Sequence, residues 1–116
     1  MTPRTGDSHA SIRPVMNPHG LHISGAFDRD TGPLLARALT WAVQAGTTNI
    51  HLHLGEVTFI DVGAVRLIAR AATELPPPRR LIVDPMPPMA TKLLHLLGWR
   101  LGPGNRLYVP GNGYDL

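Results

Sequence analysis

Polar and apolar residues alternate near the start of the chain in a pattern that predicts a β-hairpin. The segment 21–24 alternates with period two, and the preceding residues 17–20 form a turn sequence. A first strand is predicted at 12–16. Because Pro14 has no amide hydrogen to donate, we expect this strand at an edge of the sheet.

Apolar residues recur at helical spacing in three later segments. The predicted helices span about 32–45, 62–75 and 89–97. The further predicted strands span 49–54, 80–84 and 106–109, with an additional β-prone run at 57–60. Helices between strands require crossover connections, so we expect the later strands to be parallel in one sheet and the hairpin antiparallel to them. The pattern thus predicts an α/β domain.

Local signals mark where the helices begin. Asp30 and Thr31 are predicted to cap the first helix, and Asp61 is predicted to cap the second by accepting from the amide of Gly63 or Ala64. On the second helix, the residues predicted to face the core are Val65, Ile68, Ala69 and Ala72.

The third predicted helix is short and rich in leucine. Its predicted apolar face consists of Met89, Leu93, Leu96 and Leu97. Gly98 is expected to end this helix, with Trp99 folding back on Leu94 in a Schellman-type end.

Composition narrows the class of protein. A length of 116 residues suits one domain, and 43% hydrophobic with 16% charged residues excludes a disordered chain and a membrane protein. The net charge is +3, but the arginines are dispersed and only 5% of residues are aromatic, so we expect no binding to nucleic acid. The chain has no cysteine, which fits a cytoplasmic protein. We predict a leader at 1–10, the domain at 11–110 and a flexible tail at 111–116.

The sequence offers little catalytic chemistry. No glycine-rich phosphate loop follows a predicted strand. The strand-to-helix turns carry Asp28 and Asp61 rather than a serine or cysteine nucleophile. Two carboxylates on adjacent turns could perform acid–base chemistry, but a structural role is the favoured interpretation for each. We therefore expect no enzyme activity and no cofactor.

Three histidines on neighbouring predicted strands form the main alternative. His22, His51 and His53 could share one face of the sheet, where imidazoles can hold a metal. No carboxylate or thiolate is spaced to complete a ligand set, so ordinary histidines on a partly exposed face are favoured and no metal is expected. An apolar pocket beside Trp41 or Trp99 that holds a small molecule is a further alternative.

Three segments together resemble the STAS domain family, the module of anti-sigma factor antagonists and of sulfate-transporter tails. The segment 24–28 reads Ser-Gly-Ala-Phe-Asp, 55–61 reads Gly-Glu-Val-Thr-Phe-Ile-Asp, and 93–99 reads Leu-Leu-His-Leu-Leu-Gly-Trp. The resemblance spans about 12–109. It implies a STAS-like mixed sheet of four to five strands, with three to four helices mostly on one face.

The resemblance also implies a function. In the family, the residue after the aspartate of the second segment is usually a serine, which an anti-sigma factor with a kinase-type fold phosphorylates. Val62 occupies that position here, so this chain lacks the phospho-acceptor; His53 likewise stands where many members carry an aspartate. The implied role is a non-catalytic regulator of transcription that binds a protein partner and is not switched at that site.

The implied partner is an anti-sigma factor, with no membrane contact; formation of a homodimer is left open. The residues expected to bind the partner are Asp28, Thr31, Asp61, Val62, Gly63, Arg66 and Arg70. The other roles left open are a small-molecule-binding or scaffold STAS module and a metal- or pH-responsive protein built on the histidine face.

Overall fold

The computed structural model describes residues 9–108, in which a mixed sheet packs against three helices. The sheet strands, in spatial order, are β1 (Ser11–Met16), β2 (His19–Phe27), β3 (Ile50–Ile60) and β4 (Leu81–Val83). The helices are α1 (Gly32–Ala45), α2 (Val62–Glu74) and α3 (Pro88–Leu96). β1 is antiparallel to β2, and β2, β3 and β4 are parallel, which confirms the predicted hairpin and crossovers. The predicted tail, and the predicted leader apart from residues 9 and 10, lie outside the described residues.

The end of the described chain forms a second, smaller sheet. Strands β5 (Arg100–Leu101) and β6 (Leu107–Tyr108) pair antiparallel, and Ile82 of β4 makes one antiparallel bridge to Arg106. The prediction that the last strand joins the main sheet in parallel was therefore wrong. The five residues between β5 and β6 allow only an antiparallel return, because a parallel crossover needs about a dozen. Val109, which was included in the predicted strand, lies outside the described residues.

The core lies between the helices and one face of the sheet. Alternate side chains of β2 and β3 are almost fully buried on that face, namely Leu21, Ile23, Phe27, Ile50, Leu52 and Leu54. The predicted inner face of α2 is confirmed, since Val65, Ile68, Ala69 and Ala72 are all buried. Alanines on this face let α2 lie close to its neighbours, and α1 contributes Leu35, Leu39 and Ala42 to the same core.

The buried face of α3 differs from the predicted one. Ala90 and Leu94 are buried, whereas Met89 is 47% and Leu96 is 81% exposed. The helix carries apolar residues around most of its circumference, so periodicity alone did not distinguish the packed stripe. The small side chain of Ala90 permits the close approach that fixes it.

The predicted end of α3 is confirmed. Gly98 adopts φ +89°, its amide donates to the carbonyl of His95 at 3.0 Å, and the amide of Trp99 donates to the carbonyl of Leu94 at 2.9 Å. These two bonds are those of a Schellman motif. Trp99 is consequently returned to the core, where it is 7% exposed.

β3 is one long strand rather than the two separate segments that were predicted. Its pairing with β2 shifts register twice, between His22 and Ser24 and again between Gly25 and Ala26. At each shift β3 advances by one residue more than β2. These bulges interrupt the alternation of polar and apolar residues, which is why the sequence pattern broke there.

Gly25 provides a test of how closely the start of the chain is packed against the sheet. Its φ is +90°, and an added Cβ would lie 1.9 Å from the backbone oxygen of His9. Gly98 has nearly the same φ, +89°, but open space around a Cβ. We expect Gly98→Ala to cost about 1–2 kcal/mol from the left-handed backbone alone, and Gly25→Ala to cost at least about 1 kcal/mol more. Urea unfolding measures both; equal losses would show that the backbone at His9 does not constrain Gly25.

Candidate functional site

The two strand-to-helix turns that carry the family-like segments lie side by side. Phe27 at the end of β2 pairs with Ile60 at the end of β3, and the amide of Asp61 donates to the carbonyl of Phe27 at 3.0 Å. Because β2 and β3 are parallel, both turns leave the sheet at the same edge, and each leads directly into a helix. The turns at 28–31 and 61–63 therefore form one surface.

The first turn is held by side-chain bonds to its own backbone. Asp28 Oδ1 accepts from the amides of Asp30 at 2.9 Å and Thr31 at 3.2 Å, while Thr31 Oγ1 accepts from the amide of Asp28 at 2.9 Å. Thr31 occupies the N-cap position of α1, but its side chain makes no capping bond to a helix amide. The predicted capping by Asp30 and Thr31 is thus replaced by a closed turn in which Asp28 is the acceptor.

The second turn matches its prediction. Asp61 Oδ1 accepts from the amide of Ala64 at 2.9 Å, which is the side-chain cap of α2. Val62, the first residue of the helix, is 42% exposed and Gly63 is exposed as well. An apolar, solvent-facing side chain therefore stands beside the cap, where the resemblance expects a phosphorylated hydroxyl.

An exposed stripe continues from Val62 along α2. Arg66 and Arg70 follow at intervals of four residues and are both exposed, with Thr73 at the far end of the same face. Within residues 9–108 no salt bridge involves Arg66 or Arg70, so Arg70 does not pair with Glu74. The two guanidinium groups consequently face solvent without a neighbouring carboxylate bound to them.

His22 and His53 lie together on the face of the sheet opposite the helices. The rings of His22 and His53 stack with centroids 6.2 Å apart, and His22 Nε2 lies 3.2 Å from Glu56 Oε1. In the part of the chain that the structure describes, no group of three histidine, aspartate or glutamate side chains is placed to hold a metal. Glu56 was missed by sequence reasoning because the bulges of β3 bring it beside His22.

His51 has an altered acidity. Burial lowers the pKa of His51, and the neighbouring His53 and then His19 lower it further, because each would place a second positive charge nearby. The folded protein therefore favours the neutral imidazole.

Both tryptophans line surface grooves. Trp41 is 39% exposed and borders a groove of about 320 Å³ between α1 and the hairpin, with Leu21 and Leu34 among its apolar lining. Trp99 lies beneath a groove of about 260 Å³ beside Arg66 and Arg70. Sequence reasoning named both rings, but it did not connect Trp99 with the stripe on α2.

Residues 12–101 of the chain match a family model described as "Mlab, STAS domain". The chain belongs to the STAS domain family. Among solved structures, an anti-sigma factor antagonist from Mycobacterium paratuberculosis is 20% identical to this STAS domain, with 81% of each chain covered and a TM-score of 0.63. The anti-sigma factor antagonist SpoIIAA in its unphosphorylated form is 19% identical over 77% of this chain and 80% of its own, with a TM-score of 0.59.

At these identities the likeness establishes the STAS fold, in agreement with the predicted fold class. No curated protein matches the chain. Between residues 9 and 108, no helix of this STAS domain has the length and apolar character to cross a membrane.

The cap on α2 can be separated from the charge of Asp61. Asp61→Ala removes the bond to the amide of Ala64 and is expected to cost about 1 kcal/mol of unfolding free energy. Asp61→Asn retains a capping oxygen, so we expect a loss of only a few tenths of a kcal/mol. Chemical denaturation measures both. Equal losses for Ala and Asn would mean that the charge, rather than the cap, stabilises this turn.

The lowered pKa of His51 predicts acid sensitivity. The unfolded chain takes up this proton at a higher pH than the folded chain, because the pKa of His51 is lowered on folding. The contribution of His51 to the free energy of unfolding is therefore fully present above pH 6.5, the ordinary pKa, and is lost as the pH falls from there toward the pKa of the folded state. His51→Gln should lose less stability than the wild type between neutral and mildly acidic pH. Thermal melts across that range measure the difference, with His95→Gln as the control for losing an exposed imidazole. If the melting temperature of His51→Gln depended on pH in the same way as that of the wild type, the lowered pKa of His51 would not be the cause of the acid sensitivity.

Proposed function

We propose that this STAS domain is a non-catalytic, protein-binding regulator of the anti-sigma factor antagonist kind. The observation that carries the proposal is the single surface formed by the turns at 28–31 and 61–63 together with the exposed stripe of α2. Anti-sigma factor antagonists share this fold. The proposed partner is an anti-sigma factor with a kinase-type fold. The proposed role is regulation of transcription, through the sigma factor that such a partner controls.

The chemistry of the two turns supports binding over catalysis. Asp28 Oδ1 and Asp61 Oδ1 both accept hydrogen bonds from backbone amides, so both carboxylates serve the turns that they occupy. Acid–base catalysis would need such a group to exchange protons with a substrate. Exposed Val62, Arg66 and Arg70 instead offer apolar contact and charge, which are the properties of a docking surface.

A groove beside Trp41 supports a second candidate, a module that binds a small molecule. Its volume of about 320 Å³ lies at the lower end of the range for ligand pockets. Native mass spectrometry of the purified protein distinguishes the two candidates. A retained ligand would favour this second function, and a clean apo mass favours protein binding.

The partner is expected to contact the stripe on α2. A pull-down from the source organism identifies the partner, and calorimetry then measures its affinity for Arg66→Glu with Arg70→Glu. Arginine is frequent at interface hot spots, and charge reversal places like charges across the contact. We expect affinity to fall at least about tenfold, or about 1.4 kcal/mol, with an unchanged melting temperature.

The matched control is Arg13→Glu with Lys92→Glu, which changes the net charge equally at exposed positions on β1 and α3. This variant should bind like the wild type. Unchanged affinity of the α2 double variant would remove α2 from the docking surface. Equal losses in both double variants would indicate a long-range charge effect instead.

Absence of a hydroxyl after Asp61 predicts that the second turn is not phosphorylated. Incubation with the captured kinase-type partner and ATP should leave residues 58–66 unmodified by mass spectrometry. Val62→Ser restores an acceptor at the exposed first residue of α2, and we expect that variant to gain one phosphate. Stoichiometric phosphate on 58–66 of the unaltered chain would contradict this proposal.

A further inference from the structure

A groove between α2 and the end of α3 combines two cations with an apolar floor. It has a volume of about 260 Å³, and its lining residues are Arg66, Ala69, Arg70, Thr73, Leu97 and Trp99. Ala69 and Trp99 are buried and Leu97 is half-buried, whereas both arginines and Thr73 are exposed on the rim. The stripe on α2 is thus one wall of a cleft rather than an isolated helix face.

The charge of this cleft is unbalanced. None of the described residues that line it carries a carboxylate, and Glu74, the acidic residue of α2, lines a second groove toward α1 that Arg70 also borders. Among residues 9–108 no salt bridge involves Arg66 or Arg70. Guanidinium groups pair best with carboxylates, which they can bind through two parallel hydrogen bonds. The rim therefore favours a ligand that carries negative charge.

We propose that this groove receives an acidic helical segment of the protein partner. Two carboxylates of that segment pair with Arg66 and Arg70, and an apolar side chain between them packs on the floor formed by Ala69, Leu97 and Trp99. The arginines are four residues apart, so their Cβ atoms are about 6 Å apart. Carboxylates four residues apart on a facing helix have the same spacing. This inference rests on the docking surface proposed above and defines the chemistry of its partner.

The dimensions of the groove fit an inserted side chain better than a free ligand. Its volume lies below the range of about 300–1,000 Å³ that is usual for small-molecule pockets. Trp99 is 7% exposed, too little for its ring to stack on a base, and single-stranded nucleic acid relies on such stacking. An apolar anchor flanked by charge is the common form of a protein hot spot.

The test uses an acetylated helical peptide with two glutamates four positions apart and a leucine between them on the same face. Binding is followed by Trp99 fluorescence in a Trp41→Phe background, where Trp99 is the remaining tryptophan of the two in the chain. We expect saturable binding that weakens at least about fivefold when glutamine replaces both glutamates, when alanine replaces the leucine, or in Arg66→Gln with Arg70→Gln. Thr73→Tyr, which narrows the rim and removes the bond from Thr73 Oγ1 to the carbonyl of Arg70, should also weaken binding.

Three outcomes would overturn the inference. They are no saturable response up to about 1 mM peptide, equal binding of the glutamine or alanine peptide, and displacement of the peptide by an equimolar thymidine oligonucleotide, which would indicate a phosphate site. These results are separate from the test of the docking surface. If charge reversal on α2 weakens binding of the captured partner but the peptide does not bind, the proposed docking surface is supported and the proposed acidic helix is wrong.

Discussion

The pairing of β2 with β3 is the constraint on which the rest of this structure depends. Parallel pairing sends both strands out of the sheet at one edge, and the bond from the amide of Asp61 to the carbonyl of Phe27 joins the two turns there. Antiparallel pairing would have placed the turns at opposite edges. This pairing determines where the chain leaves the sheet. That position in turn determines the cap of α2, the exposure of Val62 and the direction of the arginine stripe.

The turns are rigid because their polar groups serve the backbone. Asp28 closes its turn through two amides, and Asp61 caps α2 through a third. Such bonds fix the positions of the exposed side chains that follow and reduce the entropy lost when a partner binds. Ordered, exposed side chains of this kind lower the entropic cost of a contact. Val62, the first residue of α2, lies exposed beside this cap.

Sequence reasoning succeeded where structure is determined locally. The cap by Asp61 and the Schellman end at Gly98 were predictable because each depends on a few consecutive residues. The inner face of α2 was predictable because polar residues separate its apolar stripe clearly. In contrast, the stripe of α3 that packs, the antiparallel pairing of β6 and the contact of Glu56 with His22 depend on tertiary packing or on the two bulges of β3. The groove beneath Arg66 and Arg70 was also beyond prediction, since it requires Leu97 and Trp99 to be folded back beside α2.

We propose that one partner docks across both turns and the stripe of α2. Hydrogen–deuterium exchange of the protein alone and in complex with its captured partner tests that claim most directly. We expect the partner to protect residues 27–31 and 61–73 together and to leave the amides of β1 unchanged. Protection confined to 11–16 and 34–44, around the groove beside Trp41, would contradict it.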